Sequence, residues 1–154
     1  MIDGKLGVAI HGAGQVAYAH VASWLKNPHA RVVSIGSRRR ESAERLARKF
    51  NLDCPIHDDF DQVLRDGRVD VVNLSGPNQV HTPQGIAAAR AGKHLLMEKP
   101  MCLSMEENRA LRDAVAKAGV RSVVSFVLRW NPLFENLKSL LAAGAVGRLF
   151  YIEV

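Results

Sequence analysis

The sequence predicts an α/β protein, a doubly wound parallel sheet of strand order 3-2-1-4-5-6 with helices on both faces. Three observations lead there. Short apolar, largely β-branched stretches alternate with helical patterns along most of the chain. A glycine-rich turn joins the first strand to the first helix. Polar clusters at Ser75 to His81 and at Glu98-Lys99 follow later strands, on the edge where open α/β sheets bind ligands.

The first junction reads Val8-Ala9-Ile10-His11-Gly12-Ala13-Gly14-Gln15-Val16-Ala17. A buried strand breaks at Gly12, and a helix follows with Ala17, Val21, Trp24 and Leu25 on one apolar face. Strand, G-x-G-x-x-A and helix in that order form the dinucleotide-binding, Rossmann-type context. Gly12 permits the tight turn. Gly14, lacking a Cβ, lets a pyrophosphate approach the backbone, and small Ala17 lets helix and strand pack closely. The free N–H groups of the first helical turn and the helix dipole then favour the phosphates, with Gly12, Gly14, Gln15 and Val16 as their contacts.

The second strand is Arg31–Gly36, and Ser37-Arg38-Arg39-Arg40 follows it. An NAD-binding unit carries an acid here, about 20 residues beyond the glycines, for the ribose 2′-hydroxyl. None is present. A serine hydroxyl and guanidinium groups suit a 2′-phosphate instead, which predicts NADP preference with Arg38 the principal contact beside Ser37 and Arg39. The alternative for this run is a solvated basic helix start.

Ala43, Leu46, Ala47 and Phe50 mark the second helix. Cys54–His57 is expected as a short edge strand, because Pro55 cannot donate to a ladder, and Asp58–Arg65 as a short acidic helix. Val69–Leu74 is the fourth strand, delivering Ser75-Gly76-Pro77-Asn78-Gln79-Val80-His81 to the ligand-binding edge. The helix after it ends at Gly92, a C-cap. His94–Met97 is the fifth strand and ends in Glu98-Lys99-Pro100. The proline bars Lys99 from helical geometry and holds it extended. Beside a nicotinamide and partly desolvated, such a lysine could serve in proton transfer; the plainer alternative is a surface Glu-Lys pair. Ser104 and Glu107 form a capping box, and the helix runs to Gly119. Ser122–Val127 is the sixth strand, and Asn131-Pro132 starts a last helix with Leu133, Leu137, Leu140 and Leu141 on its buried face.

Composition narrows the classes. The chain of 154 residues is 47% hydrophobic and 23% charged, ordinary for a globular domain. No apolar run reaches the ~18 residues of a membrane span. Cys54 and Cys102 are too few for a disulfide framework, which suits a reducing cytoplasm, and the six histidines form no metal-ligand pattern. A net charge of +6 raises nucleic acid as a partner, but no nucleic-acid-binding motif accompanies the arginines, so no specific complex is expected.

Gly12-Ala13-Gly14-Gln15-Val16-Ala17, Pro77-Asn78-Gln79-Val80-His81 and Glu98-Lys99-Pro100, with Arg129-Trp130-Asn131-Pro132 and Gly147-Arg148-Leu149, resemble the glucose-fructose oxidoreductase, inositol dehydrogenase and MocA-type family. The resemblance covers nearly the whole chain. It implies that Lys99 is the catalytic lysine, and that Ser75, Pro77, Asn78 and His81 line the middle of an NADP or NAD site. Glu98 and Lys99 would stand at its nicotinamide end. It also implies a cis bond between Lys99 and Pro100, and a sugar, cyclitol or related hydroxy compound as substrate. Gly76 and Met101-Cys102 depart from the family, which commonly has Ser or Thr and a small apolar pair at these places. Members also carry a second, mostly antiparallel sheet domain that supplies substrate contacts. Residues 1–128 are therefore expected to be the dinucleotide-binding domain. Residues 129–154 would be a linking helix and the first strand of a truncated substrate domain. Such a fragment would bind cofactor without turnover, and its parent would be a homo-oligomer. The 148–154 strand would offer a free pairing edge. A non-catalytic nucleotide-sensing module on the same fold is the alternative.

Overall fold

The computed structural model describes residues 3–153. Its centre is β1 (Leu6–His11), paired in parallel with β2 (Ala30–Gly36) on one side and β4 (Val71–Leu74) on the other. The short β3 (Ile56–His57) joins β2, while β5 (His94–Met97) and β6 (Ser122–Val124) extend the sheet beyond β4. The six strands stand in the order β3-β2-β1-β4-β5-β6, as expected. The order of strand addition reverses between β1 and β4, so the loops after those strands diverge and leave a crevice at their carboxyl ends.

Alternation along the strands sorts the core onto two faces. Val8, Ile10, Ile35 and Val71 pack with Ala17 and Val21 of α1 (Gln15–Lys26) and Ala43 and Leu46 of α2 (Arg40–Lys49). Ala9, Val72, Leu74, Leu95 and Met97 pack on the other face with α3 (Phe60–Arg65), α4 (Asn78–Arg90) and α5 (Met105–Ala118). Met101 joins that second cluster. Asp59 and Ser104 cap α3 and α5 through their side chains, and Gly92 and Gly119 follow α4 and α5 with positive φ.

Several expectations need correction. Leu25 is half exposed; the buried stripe of α1 is Ala17, His20 and Val21, with Trp24 half-buried. The imidazole is acceptable inside because both its nitrogens find partners. The sixth strand ends at Val124, not Val127, and the chain turns into a 3₁₀ segment, Val127–Trp130. β6 is an edge strand whose pairing with β5 ends at the Ser125 N–H, which donates to the Met97 carbonyl at 2.8 Å. α6 (Pro132–Ala142) starts on Asn131 and Pro132 as expected, but Leu133, Leu137 and Leu140 are exposed because the helix packs chiefly against the preceding 3₁₀ segment. Residues 148–153, a strand-type sequence expected to stay unpaired unless another molecule pairs with it, are irregular and exposed; Val154 lies outside the described residues. Among the described residues no helix is long and apolar enough to cross a membrane, and no cluster of His, Cys, Asp and Glu could hold a metal.

Candidate functional site

Three loops at the carboxyl edge enclose a cleft of about 770 Å³: the β1–α1 turn, the β2–α2 corner and the β4–α4 loop. That size suits a ligand of cofactor dimensions. Gly12 takes φ +102°, a conformation that favours glycine, and its N–H donates to the Gly36 carbonyl at 2.8 Å. The Ser75 hydroxyl donates to the Gly12 carbonyl at 2.8 Å, so Ser75 fastens β4 to the glycine turn. Gly14 is the N-cap of α1 in extended geometry, with no side-chain cap and no acidic residue in the first turn. Nothing stands within 4 Å of where its Cβ would be. The positive end of α1 therefore opens directly on the cleft.

At the β2–α2 corner, the Ser37 hydroxyl donates to the Arg39 carbonyl at 3.2 Å and accepts from the Arg39 N–H at 3.3 Å, fixing the turn. Arg40 pairs with Glu44 and Asp58, Arg45 with Glu41, and Arg48 with Glu44. Arg38 and Arg39, both on the cleft wall, have no ion-pair partner among the described residues. Two guanidinium groups without an ion-pair partner among the described residues therefore stand on the cleft wall.

The cleft brings together Gly12, Gly14, Gln15, Val16, Ser37, Arg38, Arg39, Ser75 and Pro77. It does not bring in Asn78, His81, Glu98 or Lys99. Asn78 is the first residue of α4 and is exposed. His81, only 1% exposed, stands behind the wall and bridges the Pro100 carbonyl (2.8 Å from Nδ1) and the Gly76 carbonyl (2.9 Å from Nε2). It ties the β4–α4 loop to the Lys99-Pro100 segment, where the peptide bond is cis. Glu98 is buried, with Oε1 2.9 Å from His20 Nε2 and Oε2 accepting from the Lys99 N–H at 3.1 Å. Lys99 itself is exposed, so the described residues do not provide the desolvation expected of it.

Spacing within the sequence does not single out His11, Gln84 or His20. His11 forms the cleft floor, its ring 4.3 Å from that of Phe60. The Gln84 amide lies against it, Nε2 to His11 Nε2, at 3.0 Å. Burial lowers the His11 pKa to about 4, with Asp59 acting against it, so the floor is uncharged at neutral pH. Its place just before Gly12 was the available signal.

The chain matches the model of an oxidoreductase family with an NAD-binding Rossmann fold over residues 6–126. The chain belongs to this family. It is 32% identical over 146 residues to scyllo-inositol 2-dehydrogenase (NAD(+)) of Bacillus subtilis, covering 94% of this chain and 42% of that protein. Against levoglucosan dehydrogenase of Pseudarthrobacter phenanthrenivorans it is 31% identical, covering 94% of this chain and 39% of that protein. The structure of a 3-ketoreductase variant from Actinomadura kijaniata, in complex with TDP-benzene and NADP, superposes with a TM-score of 0.87 at 25% identity, covering 94% of this chain and 44% of that one. The chain thus spans about two-fifths of the length of these relatives.

Proposed function

We propose that this chain is the cofactor-binding half of an oxidoreductase that exchanges hydride between NADP and a hydroxyl group of a sugar, cyclitol or related compound. One observation carries the reading: Gly14, with open space at its Cβ, faces the same cleft as the unpaired Arg38 and Arg39. The first turn of α1 would hold the pyrophosphate, and Arg38, with Arg39 and Ser37, the adenosine 2′-phosphate. The absence of a carboxylate at the end of β2 supports NADP over NAD, because an acid there would repel the extra phosphate.

The nicotinamide supplies the hydride chemistry when bound. Of the chain's own groups, Lys99 would move the proton at the reacting oxygen, while Glu98 and His81 hold the backbone on either side of it. Residues 129–154 would begin a second unit that carries most substrate contacts, in a homo-oligomeric, cytoplasmic protein. The relatives named as dehydrogenases of an inositol and of levoglucosan support the substrate class. Titrating the chain with both cofactors at low salt tests the reading: NADP should bind more tightly, and tighter NAD binding would contradict it.

A further inference from the structure

Away from the cleft lining, side chains of α1, β4 and the end of β5 meet in a largely buried cluster in which only Glu98 has a place in the cofactor reading. Trp24 Nε1 lies 2.9 Å from Asn73 Oδ1. An indole N–H only donates, so that atom of Asn73 is the oxygen and its amide orientation is fixed. His20 Nδ1 lies 2.8 Å from the same oxygen and must therefore also be an N–H. On its other side, His20 Nε2 lies 2.9 Å from Glu98 Oε1. Glu98 Oε2 accepts from the Lys99 N–H at 3.1 Å, and where a carboxyl and an imidazole share one proton the imidazole, the stronger base, keeps it. An ionised carboxylate only accepts, so Nε2 must donate as well. A neutral imidazole has one N–H; only the imidazolium has two.

We propose that His20 is a positioning residue, protonated on both ring nitrogens, whose buried pairing with Glu98 holds the Lys99 strand end in register with α1. The helix whose first turn faces the phosphates and the strand end that carries the lysine are then one rigid frame. Asn73, from the strand between them, supplies the second acceptor. His20 and Glu98 are each 8% exposed, and a charge so placed persists only when paired and hydrogen-bonded. The bearing on proton transfer rests on the reading of Lys99; the ring's protonation and its coupling to Glu98 do not, so the two can fail separately.

Long-range proton–nitrogen NMR on the 154-residue chain reads the ring directly. Both His20 nitrogens should give N–H signals, and one bare nitrogen would overturn the proposal without any variant having to fold. A mutant cycle of His20→Gln, Glu98→Gln and the pair then measures coupling. Each single change strands one buried charge, so the double variant should fold about tenfold more favourably than the sum of the singles implies. Exchange protection of the Lys99 N–H should fall about tenfold in His20→Gln, with that of the Gly12 N–H, which is bonded to Gly36, unchanged. Additive effects, or protection lost evenly across the sheet, would reduce His20 to a core filler and refute its positioning role.

Discussion

Gly12 and Gly76 are in such close contact that a Cβ on Gly12 would stand 2.5 Å from the Gly76 nitrogen. Gly14, two residues on, has open space in the same direction and an ordinary negative φ as N-cap. The two glycines of the motif therefore answer to different demands, Gly12 to the fold and Gly14 to the ligand. Gly12→Ala should destabilise the chain by at least about 2 kcal/mol, from strain at positive φ plus the clash with the β4–α4 loop. Gly14→Val should leave the folding free energy within about 0.5 kcal/mol of the parent and still abolish cofactor binding. Chemical denaturation and fluorescence titration of both variants check this pair of outcomes.

Cofactor preference should reside at the β2–α2 corner. Arg38→Ala removes a charge-assisted contact worth about 1.5–3 kcal/mol, so NADP affinity should fall roughly 10- to 100-fold. NAD affinity should stay within about twofold, since NAD has no group there for Arg38 to hold. Calorimetric titration with both cofactors at one salt concentration makes the comparison.

Acid should destabilise the fold in two separate windows. The unfolded chain protonates His11 near 6.5, whereas the folded chain does so only at about 4. Between those values the unfolded state binds more protons, so stability falls with falling pH, by up to about 3 kcal/mol. His11→Leu should flatten that part of the profile. The hydrogen bond from Arg68, and more weakly His57, lowers the Asp66 pKa from 3.8 to about 2. Its contribution is present above pH 3.8 and is lost as pH falls toward 2, and it should survive in the His11 variant. Thermal unfolding across pH 7 to 2.5 separates the two.

All six strands, their order and most helix ends were legible in the sequence, because periodicity, Gly and Pro punctuation and capping residues are local signals. What stayed hidden depends on distant neighbours. The spacing of α1 marks its inner face but not what stands opposite, and His20 fits there only because Asn73 and Glu98 arrive from β4 and the end of β5. Glu98 and His81 stand out in the sequence through their motifs. Their engagement with His20 and with two backbone carbonyls could not, because it needs the fold. The apolar stripe of α6 is real in sequence, yet the described residues offer it little to pack against.

Lys99 divides an enzyme from a nucleotide sensor. In a chain extended to the length of its relatives, Lys99→Ala should lower kcat by about 10²–10⁴ and leave NADP affinity within about threefold, as expected of a proton-transfer group off the phosphate cleft. An unchanged kcat would favour the sensing module.

NADP titration followed by backbone amide NMR locates the phosphates most directly. Binding at the head of α1 should produce the largest shifts at Gly14, Gln15 and Val16, with a second group at Ser37 to Arg39, and Gly14→Val should erase both. Shifts that leave Gly14 to Val16 untouched, or that survive in the variant, would contradict a dinucleotide seated on that helix end.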